Sequence, residues 1–388
     1  MASPNWLPRA CLAVFLFCTA LILSAHLTDW QAGGHFWKQG DWLINLQGGP
    51  LRRGLPGTLL LWFGDRTGLG ALGPLMAAQA ALLLVLVAAT WAVARPLIAQ
   101  STLSSALLWA TLFLSPAFYP LFWAGETDGS LRKELLMFTA LALTAASAVH
   151  PARAAWLQAL ALLLAAFAGF AHEVNILLLP AFLLSLALVR THQGHSLASI
   201  ALLATPVALA GASALAYALT HPDGSPAAVC QPLLDRGFSP HICTGAIDWL
   251  DRGNAHGSDI HNAIFTSNGI FSFPLAYALV LVPIGLFIHQ HSRRRPAAAL
   301  AVLTALPFLP LYIVAVDWGR WMSLHMVSLS FLYAILRHTG RLTPERTLPR
   351  KPLLLLLALS LLWSPRATTG IAKGGPMATL ARQVLSLR

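Results

Sequence analysis

The amino-acid sequence predicts an all-α fold, a polytopic transmembrane helical bundle of about 10–11 spans in which residues 1–388 form a single integral membrane domain. Of the 388 residues, 57% are hydrophobic and only 10% are charged, and the mean hydropathy is +0.66. A soluble domain carries about 25% charged residues. No internal repeat with a period of about 20–50 residues is visible. Composition and hydropathy therefore place the chain among the integral membrane proteins.

The spans are predicted from apolar runs of roughly 17–25 residues, the length that crosses a bilayer as a helix. The first run follows Arg9 and lacks a clear small-residue cleavage site before Asp29, so we interpret it as an uncleaved span. The fourth run is short, and the last has an apolar core of only Leu353–Trp363. The predicted spans are 9–28, 72–94, 103–123, 134–149, 154–171, 174–190, 196–219, 269–290, 297–316, 319–337 and 352–364.

The basic residues between the spans predict the orientation of the chain. The densest positive groups, Arg293–Arg295 and the stretch 337–351, are separated by two predicted spans, and both are expected in the cytoplasm. Counting from them places the N-terminus in the cytoplasm and leaves Glu345 as the single acidic residue on that side. The formal net charge of +11 then reflects topology, so it does not indicate binding to nucleic acid.

The first outside segment, 29–71, forms two short apolar pieces around a pair of arginines. The pieces 36–46 and 55–63 are too short to span but apolar enough to lie in the interface as short helices. Gly and Pro on both sides of Arg52 and Arg53 predict a sharp turn with exposed backbone N–H groups. The arginines are either a solvated loop pair or a phosphate site. We favour phosphate binding, because an outside loop has no topological reason to carry a double Arg, and arginine binds phosphate oxygens bidentately.

The second outside segment carries both signs of charge in front of a predicted helix. Glu126 and Asp128 precede Arg132, Lys133 and Glu134. Acids at a helix start are typical of ordinary capping. The start of a helix also points its N–H groups outward, and the two basic residues add positive charge there. Capping and an anion site both remain open.

Two further outside corners place ionisable residues beside long apolar runs. His172 and Glu173 lie between two predicted spans, where charge is expensive unless it is partnered. They are either a structural ion pair or groups that serve as general acid and base or contact a sugar hydroxyl. Asp317 and Arg320 are three apart on one helix face and either pair with each other or join the same outside site.

The long outside segment 220–268 contains Cys230 and Cys243, which an oxidising compartment would join in a disulfide. Such a bond closes a loop of about 14 residues and contributes about 3 kcal/mol in the chain-entropy model. Four other residues of this segment could ligate a metal, but no standard metal-binding spacing occurs, and we predict no metal site. They are His241, His256, Asp259 and His261.

In layout, the chain resembles the GT-C-type polytopic membrane glycosyltransferases and the related glycan polymerases of bacterial envelopes. The shared features are a first span with its N-terminus inside, a large first outside loop with acids and interfacial helices, and charged corners on the same face. The residues that carry the resemblance are Asp29, Asp41, Arg52, Arg53, Glu173, Asp317 and Arg320. The resemblance implies that Asp41 or Asp29 is the catalytic base and that the arginines hold a lipid phosphate.

We therefore expect a glycosyltransferase or glycan polymerase that uses a polyprenyl-phosphate-linked sugar donor at the periplasmic face of a bacterial inner membrane. Asp29, Asp41 and Glu173 are the catalytic candidates, and the substrate-binding candidates are Arg52, Arg53, Arg132, Lys133, His172, Asp317 and Arg320. The expected partners are the donor, a glycan or lipid acceptor and membrane lipid. No cofactor is expected, although a divalent metal stays an open alternative. A transporter or flippase for an anionic lipid or glycan is the alternative function, and a non-catalytic scaffold is a third.

Overall fold

The computed structural model describes residues 6–385 apart from 101, 222–223, 252–260, 263–264, 266–268, 292, 345 and 368–372. These residues are predominantly helical, which confirms the all-α prediction. The helices are α1 (Trp6–Gln31), α2 (Lys38–Trp42), α3 (Leu55–Thr67), α4 (Leu72–Gln100), α5 (Leu103–Phe113), α6 (Tyr119–Gly125), α7 (Glu134–Val149), α8 (Ala154–Ala171), α9 (Leu179–His192), α10 (Leu197–Thr220), α11 (Pro226–Leu234), α12 (Gly269–Gln290), α13 (Arg294–Ala305), α14 (Leu311–Val314), α15 (Trp318–His338), α16 (Arg350–Leu362) and α17 (Pro376–Leu385).

Within the described residues, six helical stretches are long and apolar enough to cross a membrane. They also expose large apolar side chains on their outer faces; Leu163 is 69% exposed and Leu202 is 76% exposed. Such faces are unfavourable in water and are expected against lipid. The six stretches are Trp6–Gln31, Leu72–Ala99, Pro151–Ala171, Glu173–His192, Leu197–Thr220 and Gly269–Gln290.

Helices α7 and α15 form the centre of the bundle. All residues from Trp318 to Ile335 of α15 are buried, and so are all from Glu134 to Ser147 of α7. Helix α15 is the more polar of the two, and several of its polar groups find partners inside the bundle: His325 Nε2 lies 2.9 Å from the carbonyl oxygen of Ala301, and Tyr333 Oη donates to the carbonyl oxygen of Ala297 at 2.8 Å. Hydrogen bonds of this kind offset the cost of burying polar side chains in a helix.

Small residues allow α8 to pack closely against the central helix α7. Ala161, Ala165 and Ala168 lie at positions i, i+4 and i+7 of α8, and each is at most 1% exposed. This spacing places them on one face of the helix. Small side chains let two helix backbones approach closely, which increases van der Waals contact between them. Such packing matters in a membrane, because lipid is as apolar as the helix surfaces and the hydrophobic effect does not drive helices together there.

Prolines break two of the predicted spans. The predicted span 103–123 is wrong as a single helix, because α5 ends before Pro116 and α6 begins after it. The predicted span 297–316 is divided into α13, a 3-10 turn and α14 around Pro307 and Pro310. Proline lacks the N–H that an unbroken helix requires and its ring crowds the preceding turn.

The connections at one end of the bundle are tied together by hydrogen bonds. The backbone N–H of Leu348 donates to Ser104 Oγ at 2.8 Å, and Arg341 Nη2 donates to Thr191 Oγ1 at 2.7 Å. This end carries the basic stretch 337–351. The residues discussed below as a candidate site all lie at the opposite end.

At that opposite end, the first loop is covered by the segment 226–250. The side chain of Asn45 donates to the carbonyl oxygen of Val229 at 3.0 Å, and the N–H of Ala246 donates to the carbonyl oxygen of Phe36 at 3.2 Å. All five residues of α2 are buried as a result. The piece 36–46 is thus largely buried by a segment far along the sequence.

Cys230 and Cys243 are joined by a disulfide within this covering segment. By contrast, α3 leaves Leu59, Trp62 and Phe63 exposed, as expected for an interfacial helix.

The C-terminal part of the chain returns to the same end as the first loop. Helix α16 is followed by a two-stranded antiparallel pair, β1 (Trp363–Ser364) and β2 (Lys373–Gly374), and by α17. The N–H of Gly319 donates to the carbonyl oxygen of Ala367 at 3.3 Å. A Cβ at Gly319 would lie 1.9 Å from the carbonyl oxygen of Arg366, so only glycine permits this close approach. The tail thus packs against the first turn of α15.

Candidate functional site

Four separate parts of the chain bring ionisable residues together at one end of the bundle. The charge of Asp41 interacts with those of Arg53 and Lys133, and that of Arg320 interacts with both Asp41 and Glu134. The participants are Asp41, Arg52, Arg53, Arg132, Lys133, Glu134, His172, Glu173, Asp317 and Arg320. We call this set the charged cluster. In the described part of 220–268, Arg236 pairs with Asp65 instead.

Glu173 binds both arginines of the first loop. Arg53 Nε donates to Glu173 Oε2 at 2.8 Å, and Arg53 Nη2 pairs with Oε1. Arg52 Nη1 donates to the same Oε1 at 2.9 Å. The side chains are 28%, 19% and 24% exposed for Arg52, Arg53 and Glu173, so the three-residue contact lies at the edge of the cluster and not in its interior. Bidentate pairing of this kind is the strong form of an arginine–carboxylate contact.

The backbone of Arg53 is left-handed, with φ of 66°. A non-glycine residue in this region costs about 1–3 kcal/mol and persists only when its surroundings hold it. Here the side chain is fixed by Glu173, and the carbonyl oxygen accepts a hydrogen bond from Lys133 Nζ at 3.0 Å. Gly54 follows directly, and a Cβ there would lie 2.5 Å from the side chain of Leu46. These contacts hold the turn that the Gly and Pro residues predict, and with it the position of Arg53.

Asp41 lies in the interior of the charged cluster. Its side chain is 0% exposed, and its oxygens lie 3.7 Å from Lys133 Nζ and 3.9 Å from Arg132 Nε. Neither oxygen accepts a hydrogen bond from a described residue. Burial alone would raise the pKa of Asp41, but the charges of Lys133 and Arg132 outweigh burial and hold that pKa below its usual value. Asp41 is therefore a buried anion between two cations.

Burial in the charged cluster also shifts the pKa values of Lys133 and His172. Burial lowers the pKa of Lys133 to about 8, although Asp41 opposes this shift. Burial and the charge of Arg53 lower the pKa of His172 to about 3, so the imidazole is neutral at pH 7. Its Nδ1 accepts a hydrogen bond from the N–H of Val174 at 3.1 Å and lies 3.5 Å from Glu173 Oε2. His172 is therefore an uncharged neighbour of Glu173.

Arg320 connects the central helices at the site. It forms ion pairs with Glu134 at the start of α7 and with Asp317, and its guanidinium carbon lies 5.2 Å from the ring centroid of Trp321. The predicted local pair of Asp317 and Arg320 thus exists inside the larger cluster. Glu134 is the residue whose importance the sequence signals least, because an acid in the first turn of a helix is ordinary.

Asp29 stands apart from the charged cluster. It forms an ion pair with the buried Lys38 at the end of α1. Gln39, the neighbour of Lys38 in α2, donates from Nε2 to Gln79 Oε1 of α4 at 2.8 Å. These contacts hold α2 against α1 and α4.

A cavity of about 400 Å³ opens beside the arginine pair. Arg52, Arg53 and Glu173 line one side of it. The remainder is formed by the first loop, the end of α8 and the last turns of α10, with Leu51, Phe170, Ser213, Ala214, Tyr217 and Ala218 among the lining residues. A volume of this size is typical of a small-molecule site. Sequence reasoning missed the α10 wall, because Tyr217 carries no charge and lies in an apolar run.

The described residues contain no group of three or more His, Cys, Asp or Glu placed to hold a metal ion. Of the loop residues considered from the sequence, His256 and Asp259 lie outside the described residues, and His241 packs edge-on against Phe36 with ring centroids 4.9 Å apart. Comparison of the chain with family models, curated proteins and solved structures finds no match.

Proposed function

We propose that this protein is a membrane glycosyltransferase or glycan polymerase that takes its sugar from a polyprenyl-phosphate-linked donor. The observation that carries the proposal is the composition of the cavity: an arginine pair on one side and apolar walls from α8 and α10 on the other. A ligand that fits both surfaces has an anionic head and a hydrocarbon chain. Isoprenoid lipids with a phosphate head have this chemistry.

The proposed reaction needs the protein to stabilise a departing phosphate and to remove a proton from an acceptor hydroxyl. Arg52 and Arg53 supply charge-assisted hydrogen bonds for the phosphate, and no metal is required for this. Asp41, the base that the family resemblance implies, is 0% exposed and does not line the cavity. Its position favours a role in holding Lys133 and Arg132 charged.

The proposal includes an arrangement in the membrane. The chain would cross the bacterial inner membrane about 10–11 times, with its N-terminus in the cytoplasm and the charged cluster at the periplasmic face. The acceptor would be a glycan or a lipid. Support comes from the grouping of basic connections such as 337–351 at the end of the bundle opposite the cluster, as expected for cytoplasmic loops.

The test measures binding of an isoprenyl phosphate without a sugar to the purified protein in lipid nanodiscs, together with glycan product formed in cells. Arg52→Ala and Arg53→Ala each remove a charge-assisted contact worth about 1.5–3 kcal/mol, and we expect binding to weaken roughly 10- to 150-fold. Product should fall with binding, at unchanged protein level in the membrane.

Arg66→Ala is the matched control, because Arg66 lies on the exposed side of α3, over the ring of Trp62, and away from the cavity. It should leave both measurements unchanged. Normal binding and normal product in both Arg52→Ala and Arg53→Ala would refute the phosphate site. Binding that depends on the arginines, combined with movement of the intact lipid across the bilayer and no sugar transfer, would instead establish the alternative function of a flippase.

A further inference from the structure

The carboxylate of Glu173 lies where a ligand of the arginine pair would have to bind. It receives the Nε and Nη2 edge of Arg53 and the Nη1 group of Arg52, and all three residues line the cavity. A phosphate recognises the same guanidinium edge, through two oxygens in one plane. One edge cannot serve two bidentate partners, so a phosphate that takes this edge of Arg53 has to displace Glu173.

The other carboxylates of the charged cluster are held elsewhere. Asp41 is fully buried against Lys133, while Glu134 and Asp317 pair with Arg320. None of these three lines the cavity, whereas Glu173 does and is 24% exposed. Glu173 is therefore the carboxylate with access to a ligand bound in the cavity.

We propose that Glu173 occupies the place of the donor phosphate on Arg52 and Arg53 in the unliganded protein. When the phosphate binds, it displaces the carboxylate of Glu173, and this carboxylate then acts as the catalytic base. The inference rests on the proposed function. Displacement gives the arginines a new anionic partner. It also leaves the freed carboxylate beside His172, which is uncharged at pH 7 and so provides no replacement cation. The carboxylate then becomes available for an acceptor hydroxyl next to the bound head group.

The chemical step balances within these groups. The acceptor oxygen forms a bond to the anomeric carbon of the donor sugar while its proton passes to a Glu173 oxygen. The bond between the anomeric carbon and the phosphate oxygen breaks, and its electron pair leaves with the phosphate, which Arg52 and Arg53 hold. The protonated Glu173 returns the proton to solvent through the cavity as the lipid phosphate departs and the carboxylate pairs with the arginines again.

This arrangement predicts that one variant, Glu173→Gln, binds the ligand more tightly but forms less product. Glu173→Gln keeps the size of the side chain and removes its negative charge, so it competes less well for the arginines. We expect the isoprenyl phosphate to bind at least 3-fold more tightly. Glycan product should fall about 10²- to 10⁴-fold, the usual contribution of a general base. A structural ion pair predicts the reverse for binding, because its loss would leave the arginine pair disordered.

The experiment measures both quantities for wild type, Glu173→Gln, Glu173→Asp and Asp65→Asn, at equal membrane protein level. Asp65 is the matched control, since it binds Arg236 through two hydrogen bonds of 2.8 Å on the exposed surface. Asp65→Asn should change neither binding nor product. Glu173→Asp, which keeps the carboxylate, should regain part of the product that Glu173→Gln loses.

Each outcome decides between the two proposals. Tighter binding with less product in Glu173→Gln supports displacement followed by base catalysis. Weaker or unchanged binding in that variant overturns the inference, while the proposed function survives through the arginine variants. Normal product from Glu173→Gln overturns the role as base. A wild-type protein that binds no isoprenyl phosphate overturns the proposed function and this inference together.

Discussion

Single residues of the charged cluster divide into those that pair inside the protein and those that reach the cavity. Asp41 and Lys133 are both 0% exposed and face each other, whereas Arg52, Arg53 and Glu173 are partly exposed. A buried ion pair contributes little net stability compared with an apolar pair, but losing one partner leaves an uncompensated charge. The two groups should therefore respond differently to substitution.

At this scale we predict that Asp41→Asn lowers stability. The variant leaves the buried Lys133 without its anion, and such a loss typically costs about 3–5 kcal/mol. We expect a lower unfolding temperature in detergent and less protein in the membrane. The exposed control Asp65→Asn should unfold like wild type. Unchanged stability in Asp41→Asn would contradict the assignment of Asp41 as the counter-ion of Lys133.

The cost of Asp41→Asn should also depend on pH. The pKa of Lys133 in the folded protein is about 8, below its usual value, so the folded state binds fewer protons than the unfolded state above that pH. Stability contributed by this group therefore rises with pH. Asp41 raises the pKa of Lys133, so without Asp41 that pKa falls further, and the difference in stability between variant and wild type should shrink as the pH rises toward and through about 8.

At the scale of elements, the first loop depends on the disulfide-closed segment 226–250 above it. This segment meets the first loop at Asn45, whose side chain donates to the carbonyl oxygen of Val229 at 3.0 Å. The end of α10, which precedes the segment, meets the arginine turn: the N–H of Arg52 donates to the carbonyl oxygen of His221 at 3.1 Å. A Cβ at Gly48 would lie 2.6 Å from the backbone of Ala228, so the two segments are in close backbone contact. An ordered segment 226–250 should therefore help to keep the arginine pair in place.

The prediction at this scale is that Cys230→Ser, alone or with Cys243→Ser, weakens isoprenyl phosphate binding. Removing a disulfide of this loop length lowers stability by about 3 kcal/mol in the chain-entropy model. The segment 226–250 should therefore leave the first loop more often. The measurement is binding together with protease cleavage within 226–250. Cys11→Ser and Cys18→Ser serve as controls, because both cysteines are free and buried in α1. Two alkylatable thiols at 230 and 243 in the native protein would disprove the disulfide itself.

At the scale of the whole molecule, the two ends of the bundle differ in chemistry. One end is basic and closed by short connections, and the other collects the mixed charges of the first loop, the α7 start, the α8–α9 corner and the α15 start. Positive loops are retained in the cytoplasm, so the mixed end is expected on the outer side. In this orientation the cavity, whose walls include residues of α8 and α10, would lie toward the outer leaflet.

The orientation is tested by labelling with an impermeant thiol reagent in spheroplasts. Thr67→Cys, at the exposed end of α3, should be labelled, whereas His195→Cys, in the connection between α9 and α10, should react only after the membrane is opened. The native free cysteines are buried and should give little background. Labelling of His195→Cys alone in closed spheroplasts would place the charged cluster in the cytoplasm and remove a periplasmic reaction.

The sequence by itself determined the class of protein, most helix positions and the accumulation of mixed charge at one end. Hydrophobic runs, prolines and glycines act within one continuous stretch of sequence. Helices α7, α8 and α10 therefore lie close to their predicted bounds. Where local signals were incomplete, as at Pro116, a predicted span divides into two helices. These features follow from local chemistry and need no knowledge of the packing.

Only the tertiary structure decided which charges meet and which reach a ligand. Arg53 and Glu173 are 120 positions apart, and their contact depends on how the first loop lies against α8. Asp41 and Glu173 look equally suited to catalysis in the sequence, yet one is enclosed by Lys133 and Arg132 while the other borders the cavity. Exposure and pairing are properties of the packed bundle, because each carboxylate takes the cation that the neighbouring segments bring to it.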